Sequence, residues 1–138
     1  MDDRIQSGAI IDYPYLWRWQ RDRGESEGRK ERPTCVLLAV RAGGLTHLAL
    51  LPISSRRPSG DQLALEIPET ERKRAGLSEF HEAWITISEY NYDIAERSFY
   101  FDPSAPILGR FSRSFVTQLA RAAAPLFRRV QARVDRTE

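Results

Sequence analysis

Arg32 and Ser54 are the residues whose types and spacing point most directly to chemistry. Between them lie two apolar runs, Thr34 to Arg41 and Leu45 to Ser54, separated by Ala42-Gly43-Gly44. Glycines at such a junction supply the positive-φ residues of a tight hairpin. Antiparallel pairing about Gly43-Gly44 sets positions whose numbers sum to about 87 opposite one another, and Arg32 with Ser54 sums to 86. A guanidinium and a hydroxyl then share one rim of a sheet. The first is a planar cationic fork matched to phosphate oxygens, and the second can donate a hydrogen bond to them. Arg29, Lys30, Arg56 and Arg57 can crowd the same rim, and Trp17 and Trp19 offer rings on which unpaired bases stack. The combination suits single-stranded RNA. The plainer alternative is that Arg32 pairs with Glu31 or Glu27, Ser54 satisfies a turn, and the tryptophans cover the open end of a barrel.

Other chemistries lack the residues they need. His47, His81 and Cys35 lie far apart with no paired-ligand spacing, so neither a metal site nor a Cys-His nucleophile is expected. Cys35 falls at the start of an apolar strand, where a thiol is usually inert. No glycine motif of the Walker type is present, and no cofactor is implied.

The elements that must carry this rim are punctuated by glycine and proline. Gly8 to Tyr13 reads as a short strand ended by Pro14. Arg18 to Arg32 has no aliphatic residue and reads as a surface loop of unusual length. Pro33 opens the run from Thr34 to Arg41, apolar enough for a strand covered on both faces, and the hairpin strand from Leu45 to Ser54 pairs with it. A loop to Asp61, a shorter strand at Gln62 to Ile67 and a solvated helical segment at Glu69 to Ala75 follow. Ala83 to Ser88 suits a further strand, and Ser98 to Phe101 another. Past Pro106, Phe115, Leu119, Ala122, Leu126 and Val130 mark one stripe of a helix begun by Ser112 or Ser114, with Pro125 expected to kink or divide it near Ala124. The expected architecture is mainly β, a few antiparallel strands closed by a C-terminal helix.

The 138 residues fit one domain, taken as 1–138, and can bury a core without disulfides. The sole cysteine cannot form an internal disulfide, and neither a signal peptide nor an apolar stretch long enough to span a membrane is seen. A cytoplasmic protein is expected, with no membrane partner. Net charge is only +2, but it is segregated. Residues 1–60 carry ten basic and seven acidic side chains, 61–110 five and ten, and 111–138 six and two. Nineteen of the 21 cations are Arg, which favours an anionic partner, although an Arg-rich solvated surface accounts for the count equally well.

At these residues the chain resembles the PemK/MazF growth inhibitors, the toxin half of bacterial toxin-antitoxin pairs. Gly8-Ala9-Ile10 is similar to the family's opening Gly-x-Ile/Val, and Glu27 through Arg32-Pro33 to its loop ending in Arg-Pro. Leu51-Pro52-Ile53-Ser54 resembles its Pro-Ile-Thr segment, and Leu108-Gly109-Arg110-Phe111 the glycine before its last helix. The likeness implies a small Src-homology-like barrel, an antiparallel sheet extension and a C-terminal helix, usually as a homodimer held inactive by an antitoxin protein. It implies a metal-independent endoribonuclease in which the 2′-hydroxyl of single-stranded RNA attacks the adjacent phosphate. Arg32 matches the family's catalytic arginine, Ser54 stands where Thr is usual, and Glu27 is the carboxylate best placed to assist, with Glu25 or Glu31 as substitutes. The chain departs from the family in carrying Glu89-Tyr90-Asn91-Tyr92 where many members have Gln-x-Arg. The alternative function is a non-catalytic binding module on the same fold, acting on a protein partner as gyrase poisons do.

Overall fold

The structure, a computed structural model, describes residues 5–28 and 30–137. Strand β1 (Ala9–Tyr13) ends at Pro14, and a short helix, α1 (Arg18–Asp22), interrupts the stretch expected to be a loop. Strands β2 (Arg32–Ala42) and β3 (Leu45–Ser54) form the long hairpin. Gly43 and Gly44 close it at φ +62° and +77°, a region strained for residues with a Cβ. Then come β4 (Ala64–Glu66), α2 (Glu69–Arg74), β5 (Trp84–Thr86) and β6 (Tyr90–Ile94). The order finishes with β7 (Gly109–Arg110), α3 (Arg113–Phe127), a 3-10 turn at Val130–Ala132 and β8 (Arg133–Asp135).

The sheet runs β4-β5-β3-β2-β1-β7 with antiparallel neighbours. One edge of β3 is divided: His47 to Leu50 pair with β6, and Ile53 and Ser54 with β5. Handing that edge from one strand to the next bends the sheet. The protein is mainly β, a curled antiparallel half-barrel sheet with a C-terminal helix. Strand alternation feeds two cores. Ile10, Cys35, Leu37, Leu51 and Ile53 face α3, where Phe115, Leu119 and Ala123 meet them. Ala9, Ile11, Val36, Leu48 and Leu50 face the other way, onto Tyr13, Tyr15, Trp17 and Phe101. Each fully buried aliphatic side chain in these layers contributes about 2 kcal/mol. Among the described residues no helix is long and apolar enough to cross a membrane.

Several expectations change. Cover on both faces holds only for Thr34 to Leu37, since Leu38 and Val40 are 45% and 51% exposed. Helix α2 is not simply solvated: Glu71 is buried, and its carboxylate accepts from the Ser112 N–H and hydroxyl at 2.8 and 2.6 Å. Ser112 caps α3 by accepting from the Phe115 N–H. Pro125 does not divide α3, because it falls in the last turn and only one hydrogen bond of the helix is lost. Val130 is not part of the buried stripe but lies beyond the helix, 92% exposed. Ser98 to Phe101 is no strand: the Ser98 hydroxyl accepts from the N–H groups of Tyr100 and Phe101 and folds the chain there. The strand of that region is β6, and β8 pairs with it in parallel.

Candidate phosphate-binding cleft

The β2–β3 register decides whether Arg32 and Ser54 meet. From Ala42↔Leu45 to Leu38↔Ala49 partners sum to 87, but an irregularity between Val36 and Leu38 shifts the register, and Thr34 faces Pro52. The ladder ends at that pair; Arg32 and Ser54 lie two residues beyond it, and the bulge has moved the strand end one position toward that alignment. A β-bulge typically re-aims a strand end in this way. Both side chains are half-buried and line a cleft of about 430 Å³ together with Lys30, Glu31, Arg56 and Phe80. Three cations meet one acid there among the described residues.

The Arg32 guanidinium is short of partners. Its Nε is buried without a hydrogen-bond partner among the described residues, and burial pulls its pKa below the usual value. Its other contact is with Trp17, whose ring lies 5.2 Å from the guanidinium carbon. An incoming phosphate would supply the missing acceptor. The Ser54 hydroxyl oxygen accepts from the Arg56 N–H at 3.1 Å, a turn contact that leaves its proton to be donated outward.

A second, larger cleft of about 820 Å³ lies on the other side of Ser54 and Arg56, which line both. Trp17, Trp19 and Arg57 are in its walls. Trp17 is 9% exposed and lies beside the Arg32 guanidinium, so little of its ring is open to the cleft. Trp19 is 39% exposed, with Arg23 5.1 Å from its ring. Arg57 lies over Trp84 at 5.3 Å. Glu27 is exposed and in neither cleft wall; of its two substitutes, Glu31 lines the smaller cleft and Glu25 a separate groove. Arg29 lies outside the described residues. Cys35 is buried, and burial pushes its thiol up to about 12, which leaves it unreactive.

Glu89, not singled out as a candidate from the sequence, lines the larger cleft at 2% exposure. It accepts from the Arg18 N–H at 2.8 Å and the Tyr15 hydroxyl at 3.2 Å. Burial raises its pKa, although those two hydrogen bonds and the cations Arg18 and Arg21 oppose the shift. The Tyr15 hydroxyl is raised well above its ordinary value by burial and by Glu89. A signal was present: an acid one residue beyond the β-branched run Ile85-Thr86-Ile87, after Ser88.

The stretch after Pro14 that carries the tryptophans is tied down along its length. Asn91, fully buried, accepts from the Leu16 N–H at 2.9 Å and donates to its carbonyl at 2.7 Å, as a strand neighbour would. Arg136 donates to both Asn91 Oδ1 and the Pro14 carbonyl, and its guanidinium carbon stacks 3.8 Å from the Tyr100 ring centre. Gly28 passes so close that an added Cβ would lie 2.2 Å from the Pro14 carbonyl oxygen.

No family model, curated protein or solved structure matches this chain. The likeness to PemK/MazF growth inhibitors therefore rests on the motifs from Gly8 to Phe111.

Proposed function

We propose that the chain is a toxin-like endoribonuclease that cuts single-stranded RNA without a metal, on a small Src-homology-like barrel of the PemK/MazF kind. As a toxin of that kind it acts as a homodimer and is silenced by an antitoxin protein. The observation that carries the reading is the convergence of Arg32, Ser54 and Arg56 on one cleft open to solvent. The RNA 2′-oxygen attacks phosphorus, the bond to the 5′-oxygen breaks, and a 2′,3′-cyclic phosphate and a 5′-hydroxyl result. Arg32 and the Ser54 hydroxyl stabilise the charge that gathers on the non-bridging oxygens. The 2′-hydroxyl proton passes to a carboxylate and a proton is returned to the departing 5′-oxygen. Glu31, the carboxylate that lines the same cleft as Arg32 and Ser54, is placed for the first task, whereas Glu27 lines neither cleft.

The test is digestion of single-stranded RNA in chelator with wild type, Arg32→Ala and Ser54→Ala. The expected result is cyclic-phosphate ends from wild type, with Arg32→Ala slower by about 10²–10³-fold and Ser54→Ala slower by about tenfold or more. One observation favours the binding-module alternative: Glu89 places an acid in the wall of the larger cleft, beside the path of an anionic strand. Absence of cleavage by all three proteins decides for that alternative.

A further inference from the structure

The two clefts share Ser54 and Arg56 and no other described residue, so these two form a ridge between them. Arg32 lines only the smaller cleft, whereas Trp19 lines only the larger. An RNA lying wholly in the larger cleft would miss Arg32, and one lying wholly in the smaller would miss Trp19. Charge separates the clefts as well. The smaller is predominantly cationic, while in the larger the arginines are offset by Asp22, Asp61 and Glu89. A phosphate belongs at the ridge, on the side of Arg32. The smaller cleft also contains one aromatic ring, Phe80, half-buried and held against the α3-side core. Every base has a π-face, so such a ring is a stacking platform that tolerates any sequence.

Resting on the endoribonuclease reading, we propose that RNA crosses over the ridge. The scissile phosphate sits among Arg32, Ser54 and Arg56, and the two flanking nucleotides enter different clefts, one base on Phe80 and the other on the side of Trp19. The larger volume of the Trp19 cleft, about 820 against 430 Å³, gives the longer stretch of recognised RNA on that side. The substrate class is then a single strand of at least two nucleotides with a base required on each side of the cut.

The test maps the cut in a wild-type digest of mixed-sequence RNA. It then measures binding of an oligonucleotide spanning that site, with 2′-deoxyribose at the attacking position and an abasic nucleotide on one side or the other. Each abasic substitution is expected to weaken wild-type binding about tenfold. Phe80→Leu, which keeps an apolar side chain against the core but removes the ring, should lose the penalty on one side only, Phe80→Tyr should retain both, and Trp19→Leu should lose the penalty on the opposite side. Loss of the same side's penalty in both leucine variants, or both penalties intact in Phe80→Leu, overturns the crossing while leaving the nuclease standing. Failure of wild type to bind or cut any of these RNAs overturns both.

Discussion

Residues 15–22 and residues 55–63 are similar in length and each supplies part of the lining of the larger cleft, but they are anchored differently. The first wall is bonded to buried partners: Leu16 to Asn91, Arg18 and Tyr15 to Glu89, and the Trp17 N–H to the Gln20 side chain. The second, apart from the Leu63 carbonyl that accepts from the buried Ile87 N–H at 2.8 Å, is held by contacts at or near the surface. The Arg56 N–H reaches Ser54, the Leu63 N–H reaches the Ser88 hydroxyl at 3.1 Å, and Arg18 pairs with Asp61, whose side chain is 85% exposed. Hydrogen bonds to buried partners are costly to leave unmade, whereas exposed ion pairs contribute little. One wall therefore has a fixed shape, and the other is able to adjust to what enters.

The contrast can be broken at its strongest point first. Asn91→Ala strips the Leu16 amide and carbonyl and one Arg136 bond of their buried partner, and should cost about 3 kcal/mol or more in urea unfolding. A loss below about 1 kcal/mol would mean the wall is held by something else. Gly28→Ala forces a Cβ against the Pro14 carbonyl, and a loss of about 2 kcal/mol is expected from the same measurement.

Glu89→Gln sharpens the comparison through pH. The folded-state pKa of Glu89 is raised above the unfolded value of about 4.3. Its contribution to stability is therefore full below that value and is lost as pH rises through the folded pKa. The glutamine variant should show a flatter decline over that interval, and unfolding curves that run parallel to wild type would count against the assignment. Asp61→Asn, on the adjustable wall, should change stability by no more than about 0.5 kcal/mol. It should tighten RNA binding by removing an acid and releasing Arg18. A stability loss like that of Asn91→Ala would erase the distinction between the walls.

The central hairpin was legible because apolar runs flank a glycine pair, and this alone brought Arg32 near Ser54. The bulge near Leu37 that completes the alignment was not, since nothing in Val36-Leu37-Leu38 marks where the extra residue falls. Strand β6 escaped because its inward residues, Asn91 and Asp93, are polar; they are buried only because Leu16, Arg136, Tyr13 and Ser98 satisfy them. Helix α1 lacks an apolar stripe and is fixed by Gln20 and Glu89, partners that composition does not reveal. Glu89 was visible as a departure from a motif, but its burial and hydrogen bonds depend on contacts more than 70 positions away in the chain.

The Arg136 bond to Pro14 joins positions 122 apart. On the ribosome, the stretch bearing both tryptophans emerges early, yet it acquires this clasp only after nearly everything between has been synthesised. Whatever work depends on that clasp is deferred until translation has passed Arg136.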